Sequence, residues 1–225
     1  VPWQVALEVT YHCNLRCPTC FADSSPELRG VVAVADVLAN VDQRLARENG
    51  RLDVLMLTGG EPTLHPELAV LLAELTARPI TRILLNTNGL RLATDDALLT
   101  LLSEHRDRVE VYLQFDGVSA HASRHHRGGD LRARKAQALR RLSTAGIFTT
   151  LVMTVALGVN DDEIGAVVRT AVEAGDPLQL TKLPEETLGV LAHRLYAMGA
   201  LVRQDGQATP AARTADGERP VTEPA

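Results

Sequence analysis

An α/β fold built on a parallel sheet is what these 225 residues predict. Three observations carry that prediction. Strand-like and helix-like runs alternate with a repeat of roughly 30 residues, the length of a βα unit. The run over 53–58 is almost wholly apolar, as a parallel strand covered on both faces should be. The polar and glycine-bearing motifs lie just after strand-like runs, where the loops of such an alternation gather on one face.

Each element follows in order. The first strand, 5–10, is an apolar run that ends in a loop after Thr10. A helix over 32–48 follows from Val34, Val37, Leu38, Val41 and Leu45 at helical spacing. The second strand is 53–58. A helix over 66–77 has Pro66 at its start, where a missing N–H does no harm. The third strand is 82–86. Thr94, followed by two acids, caps a helix reaching Ser103. The fourth strand is 109–115. A basic-faced helix over 130–145 ends at Gly146. The fifth strand is 147–155, and an acid-capped helix over 161–174 closes at Gly175. A sixth unit is marked least clearly, by a short strand over 178–183 and a helix over 184–198.

Six units joined by right-handed crossovers make a partial (β/α)6, TIM-like barrel of parallel strands with outer helices. The core domain is expected over 1–202. From Arg203 the composition shifts to Gln, Thr, Pro, Ala, Asp and Glu, so 203–225 is expected to be a disordered tail.

Composition narrows the function classes. Hydrophobic content of 45% and charged content of 23% are those of a soluble globular protein. A net charge of -5 and 3% aromatic residues argue against a nucleic acid as partner. No apolar stretch approaches the roughly 20 residues needed to span a bilayer. The N-terminus carries no positively flanked apolar segment, so a cytoplasmic location is expected. The chain starts at Val1 without a methionine, as a processed chain or a piece of a longer one would.

Cys13, Cys17 and Cys20 fall within eight residues, and no other cysteine exists in the chain. The spacing is C-x3-C-x2-C, on a loop after the first strand. Three thiolates on one short loop can hold three corners of a cubane iron–sulfur cluster, which normally takes four. One iron would then stay open to a substrate or cofactor. Disulfides would leave one thiol over. Zinc bound by the three cysteines with His12 or His65 is an alternative, although structural zinc sites usually use two separated ligand pairs. Incidental thiols are the bland reading.

The other motifs admit two readings each. Gly59-Gly60-Glu61-Pro62 after the second strand offers close backbone approach to a ligand and a carboxylate for an ammonium group; it could equally be a plain turn. Asn86, at the end of the third strand, can aim its amide into the mouth of the sheet. Gln114 and Asp116 share one side of the fourth strand and suit a ribose, or a loop cap. Thr154 at the end of the fifth strand reads as a core hydroxyl or a ligand. His121, His125 and His126, beside Arg124 and Arg127, read as a solvated loop ending at Gly128-Gly129, with a metal or anion site as the sharper alternative. Residues 160–163, Asn-Asp-Asp-Glu, read as acidic capping of a helix.

The cysteine triplet followed one βα unit later by Gly59-Gly60-Glu61-Pro62 resembles the radical S-adenosylmethionine (SAM) superfamily, over roughly 3–175. The segments 112–117, 154–155 and 158–165 are similar to its branch of tetraether lipid synthases and pterin-linked methyltransferase-like proteins, which are longer and carry further cysteines. The resemblance implies that Cys13, Cys17 and Cys20 hold a [4Fe-4S] cluster whose open iron chelates SAM. It implies that Gly59, Gly60, Glu61 and Pro62 bind the methionine ammonium, and that Gln114 and Asp116 serve the ribose, with Asn86 and Thr154 as further cofactor-binding candidates. The implied reaction is reductive cleavage of SAM to methionine and a 5′-deoxyadenosyl radical that abstracts hydrogen from a small-molecule or lipid substrate. An electron donor such as a flavodoxin or ferredoxin is the implied partner. Thr19 stands where that superfamily often has an aromatic residue near adenine, and Phe21 either takes part of that role or packs under the loop.

Overall fold

The computed structural model describes residues 4–174 and the strand backbones of 201–204 and 207–210. Two compact units divide the chain, Val1–Val167 and Val168–Ala225. In chain order the elements are β1 (Gln4–Thr10), α1 (Val34–Arg47), β2 (Leu52–Gly59), a 3-10 turn (Pro62–Leu64), α2 (Leu68–Thr76), β3 (Ile80–Thr87), α3 (Asp96–Glu104), β4 (Val109–Gln114), α4 (Ala120–Arg127), α5 (Arg132–Thr144), β5 (Thr149–Val152) and α6 (Ile164–Glu173). β6 (Leu201–Gln204) and β7 (Gln207–Pro210) form a separate antiparallel hairpin.

β1 to β5 pair in sequence order, every neighbour parallel. That is the predicted alternation of strands and helices, an incomplete TIM-like barrel wall. Alternation along each strand explains why it stands. One face carries Val9, Leu55, Leu57, Ile83, Leu85, Val109, Val111 and Leu113, all without measurable exposure. They pack under helices that contribute Val41, Leu71, Leu72, Leu102 and Leu142, equally buried. Each such side chain contributes about 2 kcal/mol through apolar burial. The opposite face is more open. Glu8 is exposed, and Met56, Asn86, Tyr112, Gln114 and Thr150 are half-buried.

Several boundaries differ from the sequence expectation for local reasons. α3 is capped by Asp95, not Thr94; the Asp95 carboxylate accepts from the Leu98 N–H at 2.9 Å. β5 stops pairing at Val152, which leaves Thr154 outside the strand and exposed. α6 begins at Ile164 because Asn160 and Glu163 bond elsewhere. The histidine segment expected to be a solvated loop is a helix, α4. Ser119 caps it by accepting from Ala122 N–H at 3.1 Å, and Gly128 ends it at φ 76°, a left-handed conformation that suits glycine. Its high polarity hid it, since only Ala122, Ser123 and His126 are buried.

Among the described residues, no helix is long and apolar enough to cross a membrane. The predicted sixth unit, 178–198, lies outside the described residues. The predicted 202/203 boundary falls within β6, and the tail beyond Pro210 lies outside the described residues too.

Candidate active site

The cysteine loop leaves β1 at Thr10 and returns beside it. Thr10 Oγ1 donates to Gly30 O at 2.9 Å, and Val32 N–H donates to Val9 O at 3.0 Å. Inside this excursion Cys13 N–H donates to Ser25 O at 3.2 Å. Each of the three sulfurs has an N–H donor nearby. Asn88 Nδ2 is 4.0 Å from Cys13 Sγ, Arg127 Nη1 is 3.9 Å from Cys17 Sγ, and Ser24 N is 3.4 Å from Cys20 Sγ. Donors of this kind stabilise thiolates and tune the potential of a bound cluster. Cys13 is buried, and that burial pushes its thiol up to about 11 in the metal-free chain, so metal binding there must release a proton.

Among the described residues, no group of three or more His, Cys, Asp or Glu meets at a point suited to a single metal ion. The fit to a cluster rests on the donor set, three thiols on one loop with an N–H beside each. His65, a candidate zinc ligand, is buried with both ring nitrogens engaged. Nε2 donates to Val32 O at 3.0 Å and Nδ1 accepts from Glu67 N–H at 3.1 Å. His12 Nδ1 donates to Leu28 O at 2.8 Å.

Gly59-Gly60-Glu61-Pro62 lies directly against that loop. Gly59 has φ 116°, and a Cβ on it would collide with Thr10 O; a Cβ on Gly60 would collide with His12 O. Gly60 N–H donates to Thr10 O at 2.7 Å and Glu61 N–H to His12 O at 2.9 Å. The glycines therefore admit the neighbouring backbone, where the sequence reading had them admit a ligand. Glu61 also departs from expectation, because its buried carboxylate is engaged within the protein. Oε1 accepts from Thr63 N–H (3.1 Å), Thr63 Oγ1 (2.6 Å) and Thr87 Oγ1 (2.6 Å), while Oε2 accepts from Asn88 N–H (2.8 Å). Pro62 opens the 3-10 turn that presents Thr63 to it.

A chain of polar side chains crosses the strand ends. Asn86 Nδ2 donates to Thr58 Oγ1 at 3.0 Å, Gln114 Nε2 to Asn86 Oδ1 at 2.6 Å, and Arg127 Nη2 to Gln114 Oε1 at 2.9 Å. Arg127 then grips Asp116 with two bonds, Nε to Oδ2 at 2.5 Å and Nη2 to Oδ1 at 2.7 Å. Burial alone would raise the Asp116 carboxyl, but Arg127, with help from Lys135, holds it below the ordinary range. Lys135 is buried beside them and donates to Gln114 O; burial, reinforced by the Arg127 charge, lowers its ammonium to about 8. The side chain of Thr154 is exposed, so it is not a core hydroxyl; its backbone N–H reaches Asp116 Oδ1 at 3.3 Å.

The histidine segment belongs to this site, contrary to the loop reading. The C-terminal turn of α4 docks on the cysteine loop through Arg127 and through His126, whose Nδ1 lies 3.2 Å from Thr19 Oγ1. Thr19 thus anchors the loop, while Phe21 is 78% exposed and does not pack under it. Residues 160–163 also do more than cap α6. Asn160 Nδ2 donates to Asp116 O at 2.5 Å and Thr154 O at 2.8 Å, and Glu163 Oε2 accepts from Val118 and Ser119 N–H at 2.5 and 2.9 Å. Arg127, Asn88, Lys135 and Asn160 were missed as site residues. No local spacing marks them, and the one available signal for Arg127 was a basic cluster ending in two glycines.

Comparison with known proteins places the chain in a family. The chain is 30% identical over 171 residues to 7,8-dihydro-6-hydroxymethylpterin dimethyltransferase of Methanocaldococcus jannaschii, covering 76% of this chain and 33% of that protein. It is 29% identical over 157 residues to the antilisterial bacteriocin subtilosin biosynthesis protein AlbA of Bacillus subtilis, covering 69% of this chain and 34% of that one. The chain thus spans about a third of the length of these relatives. The fold is shared with Streptococcus suis SuiB bound to S-adenosylmethionine, at TM-score 0.67 and 16% identity, covering 88% of this chain and 44% of SuiB. The family model of the radical SAM superfamily matches residues 7–171, so the chain belongs to the radical SAM superfamily.

Proposed function

We propose that this chain is the catalytic core of a radical SAM enzyme that binds a [4Fe-4S] cluster through Cys13, Cys17 and Cys20. The observation that carries the reading is the convergence of that loop, Gly59 to Pro62 and Asp116 at one end of a parallel sheet. When bound, the cluster and SAM supply one-electron chemistry, yielding a 5′-deoxyadenosyl radical for hydrogen abstraction. The protein's own residues prepare the site. Asn88, Arg127 and the Ser24 N–H face the sulfurs, where they would donate to a bound cluster's ligands. Glu61 fixes the 59–62 segment, so its carboxylate is committed to the protein and is not the group that meets a ligand. Gln114 and Asp116 are the residues proposed to serve the ribose, and they would share it with Arg127, which already donates to both. Asn86 holds Gln114, and Thr154 supports Asp116 through its backbone.

A second reading is a radical SAM domain that binds cluster and SAM without turnover; the relatives' activities belong to proteins about three times as long as the stretch matched here. Anaerobic reconstitution with iron and sulfide, followed by dithionite and SAM, separates the two. The first reading expects 5′-deoxyadenosine by chromatography, and expects Cys17→Ala to lose both the cluster absorbance and the product. A cluster-loaded chain that binds SAM and yields no product overturns it in favour of the second.

A further inference from the structure

One row of side chains crosses the open face of the sheet; two of its members, Thr58 and Asn86, belong to the polar chain described above, and the other three are not used by it. Strand register defines the row. Glu8 pairs with Thr58, Asn86 with Tyr112, and Tyr112 with Thr150. The β2–β3 register, with Met56 opposite Leu84, continues to Thr58 opposite Asn86, and Asn86 Nδ2 bonds Thr58 Oγ1 at 3.0 Å. Neighbours across parallel strands point to the same side, so all five share the face turned away from the helices. That face is the open one: Glu8 is exposed, and Tyr112 and Thr150 are half-buried.

The row adjoins the candidate cofactor positions, since it contains Asn86 and since Tyr112 precedes Gln114 by two residues on β4. Two strand residues correspond to about 7 Å. Beneath it, Ala6, Met56, Leu84 and Glu110 form the next row, where Glu110 is paired with Arg82 at 3.3 Å. The row thus lies on the wall of the partial barrel between the site and the row that holds the Arg82–Glu110 ion pair.

Its chemistry is one-sided. Asn86 donates to Thr58 Oγ1 and accepts from Gln114 Nε2, so both are engaged within the protein. Among the described residues, no hydrogen bond or ion pair engages the Glu8 carboxylate, the Tyr112 hydroxyl or the Thr150 hydroxyl. The row holds one free acid and no cation. A hydrocarbon chain laid across it would strip water from a carboxylate and two hydroxyls and give them nothing in return. A group bearing N–H donors or positive charge would satisfy Glu8 with a charge-assisted bond and leave the hydroxyls to orient the rest.

We infer that this row is a substrate-recognition surface for a polar group carrying N–H donors or a positive charge, with Glu8 as its specificity-determining residue. The inference rests on the radical SAM reading only for what the substrate is brought to. It narrows the substrate from small molecule or lipid to a nitrogen-bearing polar compound.

The test uses the cluster-loaded full chain with SAM and two probes, 2,4-diaminopyrimidine as an N–H-donating ring and 1-decanol as a hydrocarbon. Binding is measured by isothermal titration calorimetry. The diaminopyrimidine is expected to bind and the decanol not. Glu8→Gln is expected to weaken diaminopyrimidine binding about tenfold, as loss of one charge-assisted bond should. Tyr112→Phe is expected to weaken it severalfold, and thermal unfolding of both variants checks that they fold. Decanol binding in place of diaminopyrimidine, absence of diaminopyrimidine binding, or unchanged affinity in Glu8→Gln overturns the inference. Formation of 5′-deoxyadenosine by the parent chain in the same preparation tests the underlying reading separately.

Discussion

Glu61 and Asp116 are both carboxylates buried at the ends of parallel strands, at 1% and 3% exposure, and the protein stabilises them differently. Glu61 is held by neutral donors, two backbone N–H groups and two threonine hydroxyls, drawn from the loops after β2 and β3. Asp116 is held by a guanidinium from α4 that also approaches Cys17. The first arrangement is a clamp, fixing two loops to each other. The second is a coupling, because the cation that neutralises Asp116 also reaches Gln114 and a candidate cluster ligand. Charge is therefore concentrated at β4 and α4, while the segment after β2 is rigid.

If Glu61 is the clamp, its loss should be the more damaging. Glu61→Ala strands four buried donors, each costing about 1 to 3 kcal/mol when unpaired, and water entering the cavity recovers part of this. A destabilisation of about 4 kcal/mol in urea unfolding is expected. A loss under 1 kcal/mol would break the contrast.

Arg127→Ala should destabilise by about 3 kcal/mol, since it leaves the Asp116 charge buried and unpaired. The double variant Arg127→Met with Asp116→Leu should recover much of that loss. The stronger discriminator is the metal site: Arg127→Ala should lower iron retention after reconstitution or shift the cluster potential, whereas Glu61→Gln should move the potential less. Equal shifts in both would show that the two carboxylates act alike.

Lys135 gives the smallest effect and sharpens the charge side of the comparison. Its ammonium is lowered to about 8 from an ordinary 10.5. Between those values the unfolded chain holds a proton that folded Lys135 has lost, so stability rises with pH across that window and is flat in this respect below it. In the cluster-free chain the rise relative to Lys135→Met should be on the order of 2 kcal/mol. Because both chains contain Cys13, its opposing titration cancels in the difference. Parallel stability curves from pH 8 to 10.5 would contradict the buried charge.

Much of the fold was legible in the sequence because its signals are local. Val34, Val37, Val41 and Leu45 announce a helix by spacing alone, and Val37, Val41 and Leu45 are its buried residues. The apolar run of β2 announces a covered parallel strand. α4 was missed because eight mostly polar residues carry no apolar stripe, and only its caps, Ser119 and Gly128, mark its ends. The site was legible in part for the same reason. Cys13, Cys17 and Cys20 are neighbours in the chain, but Thr19 and His126 meet across 107 residues and Cys17 and Arg127 across 110.

By itself the sequence determined the order of strands and helices, the cysteine loop, and the presence of Gly59-Gly60-Glu61-Pro62 one unit later. These depend on periodicity and on spacing along the backbone, which no tertiary contact can alter. Only the tertiary structure decided what the motif residues bond to. It turned Gly59 and Gly60 into a seat for the β1 backbone, Glu61 into an internal clamp, and Arg127 into the partner of Asp116. The reason is that a buried polar group must find a partner, and which group fills that need is set by strand register and helix docking across the whole sheet.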